Sequence, residues 1–477
     1  MDASLLTSTN FPKAGREEWL KLARKAIGEA DFDTALVSST DDGLAIQPLV
    51  DRRVNASHLL RPDPLRPWEV VQRIDDPDPA RANAQAREDL AGGATGLALV
   101  FEGAPNAFGY GLPATQEALE QALDGISPTD THLRIDVHPS SRNSLDWMVA
   151  LLSARRANPS RLRLAFGIDP AALFAGTGRL RMSIEALKAS MPQSFVHFFA
   201  LGVPGVLLEA DGRVFHNAGA TEAQELGAAL ASAVSHLRMF EEARQPLVYA
   251  APHVGFALSL DQDQFLGTAK LRALRKLWLR VQELCRIEPS PARIHAETSF
   301  RMMTFKDPET NILRATIACY AAAAGGADSI SILPYTVAHG LPDAFARRVA
   351  RNTHLVLADE SHVGAVADPM AGAGGVEDLT DALCEAAWRE FQAIEAEGGI
   401  LESLSAGKLQ ARIRASADQR RQAIAEGKRH ILGTTLYPLA AERPVSVLAA
   451  PRQPVPSDGA EHCEPLPPVR LDEEVSR

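Results

Sequence analysis

The feature that most constrains this chain is an alternation. From about residue 70 to 360, short β-rich runs are separated by stretches with apolar residues at helical spacing. The strand-like runs are Gly96–Phe101, Leu133–Val137, Leu162–Gly167, Phe195–Leu201, Val206–His216 (interrupted by Asp211-Gly212), Leu247–Pro252, Ala292–Thr298 and Ser329–Leu333. Helical stretches such as Ala80–Ala91, Thr221–Ser235, Lys270–Leu284 and Asn311–Ala324 lie between them. Such alternation predicts a parallel α/β fold, here a (β/α)8 TIM barrel. A doubly wound sheet is the alternative, but no Gly-x-Gly-x-x-Gly follows a strand to support it.

Chemistry is most legible between Arg293 and Glu377, where a strand, an alanine-rich helix and a second strand form a βαβ unit. His295, Glu297 and Ser299 alternate, so all three point to one side of the strand or its exit loop. They are candidate ligand contacts, or equally the polar lining of a barrel mouth. His216 stands beside the glycine-containing turn Ala218-Gly219-Ala220, where a histidine can donate a proton to a substrate carbonyl. A structural histidine is the competing reading. Asp136-Val-His138 imitates the start of a cobalt-ligating Asp-x-His-x-x-Gly motif, but Ser141 replaces the glycine and the pair falls inside the barrel pattern. Lys270, Arg272, Arg275, Lys276 and Arg280 form a basic helix face, expected to be solvated. The sequence has no Gly-x-Ser-x-Gly, no P-loop and no zinc-ligand spacing.

A net charge of −11 argues against nucleic acid or an anionic membrane as the main partner. No apolar run reaches transmembrane length, and Met1-Asp2-Ala3 does not open a signal peptide, which predicts a cytoplasmic protein. The four cysteines show neither metal spacing nor a paired framework. Residues 1–69 are expected to form an N-terminal arm, with an amphipathic helix over 15–29, ahead of a barrel over 70–400. A helical region over 401–450, including an extended piece at Ile431–Pro438, and a disordered proline-rich tail over 451–477 should follow.

Several segments together resemble the methylmalonyl-CoA mutase family, and more closely its small (β) subunits. They include Trp19-Leu-Lys-Leu-Ala23, Asp42-Gly-Leu-Ala-Ile-Gln-Pro48, Arg66-Pro-Trp68, His216 with Ala218-Gly-Ala220, Ala269-Lys-Leu-Arg272 and His295-Ala-Glu-Thr-Ser299. Arg347-Arg-Val-Ala-Arg-Asn-Thr353, Glu360-Ser361, Asp368-Pro369 and Val376-Glu377 extend the match, and Phe300–Thr304 and Leu432-Gly-Thr434 look particularly like the small subunit. The resemblance implies a barrel that binds an acyl-CoA and faces adenosylcobalamin, whose cobalt–carbon homolysis drives interconversion of methylmalonyl-CoA and succinyl-CoA. On that pattern His216 is the catalytic position, active or relict, and Tyr110, His295, Glu297 and Ser299 are the substrate-binding positions. Departures point away from catalysis. Phe215 replaces a tyrosine, Glu297 replaces a neutral amide, and Thr336-Val337 replaces Asp-Glu. Tyr110, within Phe108-Gly-Tyr110-Gly, matches the family only at its centre. No complete cobalamin module is expected after residue 450. The expectation is therefore a supporting subunit of a heterodimer whose catalytic partner chain carries most of the adenosylcobalamin contacts, with no metal site here. A catalytic barrel of a split mutase, working with a separate cobalamin-domain protein, is the alternative. A binding or assembly protein outside mutase catalysis is the third reading.

Overall fold

The structure, a computed structural model, describes residues 15–200, 202–453 and 458–473, with the side chains at 194 and 196–200 excepted. Parallel strands β1 (Glu69–Ile74), β2 (Gly96–Leu99), β3 (His132–Ile135), β4 (Leu164–Phe166), β5 (Gly205–Val206 continued by Leu208–Asp211), β6 (Val254–Leu260), β7 (Arg293–Thr298) and β8 (Ser329–Ser331) make one sheet. It contains nine hydrogen-bonded runs because β5 is interrupted at Leu207. The first part of β5 pairs with β4, the second with β6, and β8 pairs with β1. The ring therefore closes through β5 on eight staves, the (β/α)8 barrel expected from the alternation.

Strand periodicity divides the side chains cleanly. Leu97, Leu99, Leu133, Ile135, Leu164, Phe166, Phe256 and Leu258 face outward into the apolar layer beneath the helices. Burial of each such side chain contributes roughly 1.5–3 kcal/mol. Ala98, Ala165 and Ala257, of opposite parity, are buried but outside that layer and face the barrel axis. Gly205 opens β5 at a φ of +130°, and a Cβ there would run into the Leu164 carbonyl oxygen.

Two expected strands are helical. Phe195–Leu201 begins inside the helix Ile184–Ala200, where Phe195 packs against Phe240. Leu247–Pro252 is a helical turn, Leu247–Ala250, continued by a 3-10 turn, Ala251–His253. The strands overlooked in those terms are β1 and β6. The latter is buried along its whole length, so it carries no alternation of apolar and polar residues to betray it. His216 is not on a strand but on a short helix, Arg213–Asn217.

The basic face of the helix Gln264–Leu284 is only partly solvated: Arg280 is exposed and Lys276 half-buried. Lys270, Arg272 and Arg275 are buried, and Arg272 pairs with Asp368 and Glu377, so the face is where the outer helices are stitched to the barrel. Ile431–Pro438 is a tight turn closed by Leu432 and Leu436 rather than an extended piece. Residues 458–473, expected to be disordered, are packed. Glu461–His462 pairs with Arg179–Leu180, Leu466 and Asp472 are buried, and main-chain bonds run from Val469 to Asn217 and from Leu471 to Arg301. The prolines there stiffen a strap rather than loosening a tail. Residues 454–457 and 474–477 lie outside the described residues.

The arm helix Arg16–Ile27 has no buried residue, and Leu22 is 59% exposed. No helix of the described residues is long and apolar enough to cross a membrane.

Two stability predictions follow from this packing. Gly205→Ala should cost about 1–3 kcal/mol, read as a lower urea midpoint, because the new methyl meets backbone that cannot move aside. His138, His236 and His354 are buried, and burial pulls them down to about 3, about 4 and about 3. Unfolded, they take up protons near pH 6.5, so stability should fall as pH drops from about 6.5 towards 4. Urea titrations across that range should show a declining midpoint; a flat profile would contradict the buried neutral assignment.

Candidate functional site

Four alternate staves send long charged side chains towards the axis: Arg73 and Asp75 from β1 and the loop after it, Arg134 and Asp136 from β3, Glu209 and Asp211 from β5, and His295 and Glu297 from β7. The intervening staves offer Ala98, Ala165, Ala257, Ser259, Ser329 and Ser331, small enough for the charged groups to lie across them. This is the layered filling of a TIM barrel, with four side chains per layer from alternate strands, carried out in charge rather than in aliphatic bulk.

The charged groups pair with one another. Arg134 donates two bonds to Glu209, at 2.5 and 2.6 Å, and one to Asp136 at 2.8 Å. Arg213 donates to Asp211 at 2.7 and 2.9 Å and to Asp136 at 3.1 and 3.2 Å. Glu297 receives Arg73 Nη1 at 2.9 Å and lies 3.3 Å from Arg213. Arg213, Arg134 and Arg73 hold the Asp136 carboxyl far below the ordinary range, against the burial that would raise it. Glu297 therefore does not face a ligand as an unpaired charge; it belongs to an ion-paired column. Above the column Phe108 stacks on Phe300, ring centroids 4.2 Å apart, with the Arg73 guanidinium over the Phe108 ring.

His216 and Ser299 meet beside the top of this column. His216 Nδ1 gives its hydrogen to Glu225 at 3.1 Å, which leaves Nε2 to accept the Ser299 hydroxyl at 2.9 Å. Serine, histidine and carboxylate stand in the order of a nucleophilic triad. All three are fully buried, however, and Glu225 is already bound by the Lys270 ammonium, which also holds Glu222. Lys270 and Arg301 supply the positive charge for His216, Glu222 and Glu225, the one group of metal-ligating side chains among the described residues. Both ring nitrogens of His216 are thus engaged within the protein.

The other candidate residues are dispersed. His295 lies lower on the axis, its Nδ1 2.8 Å from Ser329 Oγ, and lines a cavity of about 360 Å³ at the N-terminal mouth. Tyr110 lies at the opposite mouth, in a cavity of about 270 Å³ shared with Phe108, Phe300 and Val337. Pro467, Pro468, Arg470 and Glu473 of the strap cover that cavity. Neither cavity is lined by His216, Glu297 or Ser299. Sequence reasoning thus singled out residues of one axis but not the arginines that fill it. The signal was present as Arg73-x-Asp75, Arg134-x-Asp136 and Glu209-x-Asp211, three charged pairs at strand spacing inside buried runs.

Breaking the column should be severe. Arg134→Leu is expected to cost about 3–5 kcal/mol by stranding Glu209, and adding Glu209→Leu should recover much of that loss. Denaturation of the two single variants and the double variant measures the coupling; additive losses would show that the pair is not a unit.

Known proteins place the chain. The sequence model of the family described as "Methylmalonyl-CoA mutase" matches residues 64–475. A methylmalonyl-CoA mutase small subunit of Streptomyces virginiae is 36% identical, the match covering 99% of this chain and 77% of that protein. A probable small subunit of Mycobacterium tuberculosis is 44% identical over 68% of this chain and 53% of its own length. The large subunit of Streptomyces virginiae is 24% identical over 97% of this chain and 67% of its own length. With a closed (β/α)8 barrel and a family match over most of its length, the chain belongs to the methylmalonyl-CoA mutase family.

Proposed function

We propose that this chain is a supporting barrel for a catalytic, cobalamin-bearing mutase chain, and that the complex interconverts methylmalonyl-CoA and succinyl-CoA. The observation that carries this reading is the ion-paired column. An acyl-CoA entering along the axis would have to displace Arg73, Arg134 and Arg213 from their carboxylates, and buried pairs are costly to break. The residues at the C-terminal mouth do not fit adenosylcobalamin either. The strap is hydrogen-bonded over the turn after His216, and that imidazole is fully engaged. Adenosylcobalamin is accordingly assigned to the partner, and no step of the reaction is routed through this chain.

The arm supports the same reading. A helix with an apolar face and no buried residue gains little from its own domain, and such faces mark interaction sites. In this reading the helix Arg16–Ile27 reaches onto the partner mutase chain.

Turnover of methylmalonyl-CoA with adenosylcobalamin tests the proposal, measured for this chain alone, with a full-length mutase chain, and with a small cobalamin-domain protein. Activity is expected only with the full-length chain, and His216→Ala or His295→Ala here should leave it unchanged. Rescue by the small protein alone, with loss of about 10²-fold in His216→Ala, would instead make this the catalytic barrel of a split mutase. Deleting residues 1–45 should shift the heterodimer towards free chains in size-exclusion chromatography; an intact complex would remove the arm from the interface.

A further inference from the structure

Beside the C-terminal ends of β3 and β4, away from the axis, lies a cavity of about 130 Å³ with an apolar lining. Helices Ser141–Ala154, Pro170–Thr177 and Ile184–Ala200 enclose it, through side chains that include Leu145, Leu173, Leu187, Met191 and Phe195. Its volume is close to the ~150 Å³ of an apolar protein cavity that accepts benzene.

One wall is His138, two residues beyond the column's Asp136 and itself outside the column, its ring packed against Phe101 at a centroid distance of 4.7 Å. His138 Nδ1 accepts the Ser140 N–H at 3.3 Å, which places the ring hydrogen on Nε2. Nε2 is buried and has no hydrogen-bond partner. Burial keeps the ring neutral, so the N–H is not exchanged for a charge near neutral pH. Asp169, also on the wall, cannot serve as acceptor. Its two oxygens already take the N–H groups of Ala171, Ala172 and Asp211 and the Ser232 hydroxyl. At the rim stand two exposed arginines, Arg181, held by Asp458 at 3.3 Å, and Arg142, which has no ion pair among the described residues.

We propose that this cavity binds a small apolar carboxylate, its hydrocarbon body enclosed by the leucines and methionines, one carboxylate oxygen accepting the His138 Nε2–H and the charge drawn by Arg142. The buried donor without an acceptor sets the hydrogen bond, the volume sets the size of a single ring or a short branched chain, and the arginine rim sets the sign of the charge. The site is separate from the axial column and does not depend on the chain's role towards its partner.

Ligand-observed NMR on the full chain tests this with benzoate, benzamide and toluene as probes. Benzoate should bind most tightly, benzamide more weakly and toluene least. His138→Phe should weaken benzoate about tenfold, the worth of one buried hydrogen bond, while leaving toluene unchanged. Leu173→Trp should fill the cavity and abolish all three. Arg142→Ala, at an exposed position, should erase the preference for benzoate over benzamide without touching the melting temperature. Binding of no probe, binding that survives Leu173→Trp, or benzamide preferred by the unaltered chain would each overturn the assignment.

Discussion

The contact on which this structure turns is the bidentate pair between Arg134 of β3 and Glu209 of β5, enclosed within the barrel. A closed barrel of this size must fill its interior with side chains. Here the filling is charge neutralised at close range, and each carboxylate is shared by or aligned with its neighbours: Asp136 between Arg134 and Arg213, Glu297 between Arg73 and Arg213. Pairing also fixes register. A one-residue slip of β3 or β5 would turn its charges into the apolar layer beneath the helices and Leu133 or Leu208 into the axis.

The ends of the barrel follow from that filling. At the C-terminal mouth Phe108 and Phe300 cap the column, and the strap of residues 464–473 closes over the cavity beside them. At the N-terminal mouth the cavity stops at His295, Arg134 and Glu209, the lower members of the column. What remains accessible is rim rather than axis. The same chain leaves its N-terminal helix without a buried residue, so surface is withheld at the axis and offered at the arm.

The alternation of elements was legible in the sequence because most staves are short apolar runs between amphipathic helices. It failed where the local signal was ambiguous. Phe195–Leu201 is aromatic and apolar enough to pass for a buried strand, and short apolar runs do not distinguish the two by period. The strap was unreadable because its order comes from tertiary contacts. Leu466 and Asp472 are buried against surfaces that composition does not reveal, whereas composition records only prolines and acids. The candidate residues were found as positions but not as roles. Nothing local in His295-Ala-Glu-Thr-Ser299 says that Arg73, more than two hundred residues earlier, neutralises Glu297. Nor does Lys270 announce that it will hold the carboxylate behind His216.

The charged column has a consequence for how such a chain changes over time. An aliphatic interior can be carved away one methyl group at a time, each step modest. An interior of shared carboxylates and guanidinium groups cannot, since removing one arginine strands two or three carboxylates. Passage from a filled axis to an open one therefore requires several coordinated replacements with unstable intermediates between them. The barrel is held in its present state by the route out of it as much as by its depth.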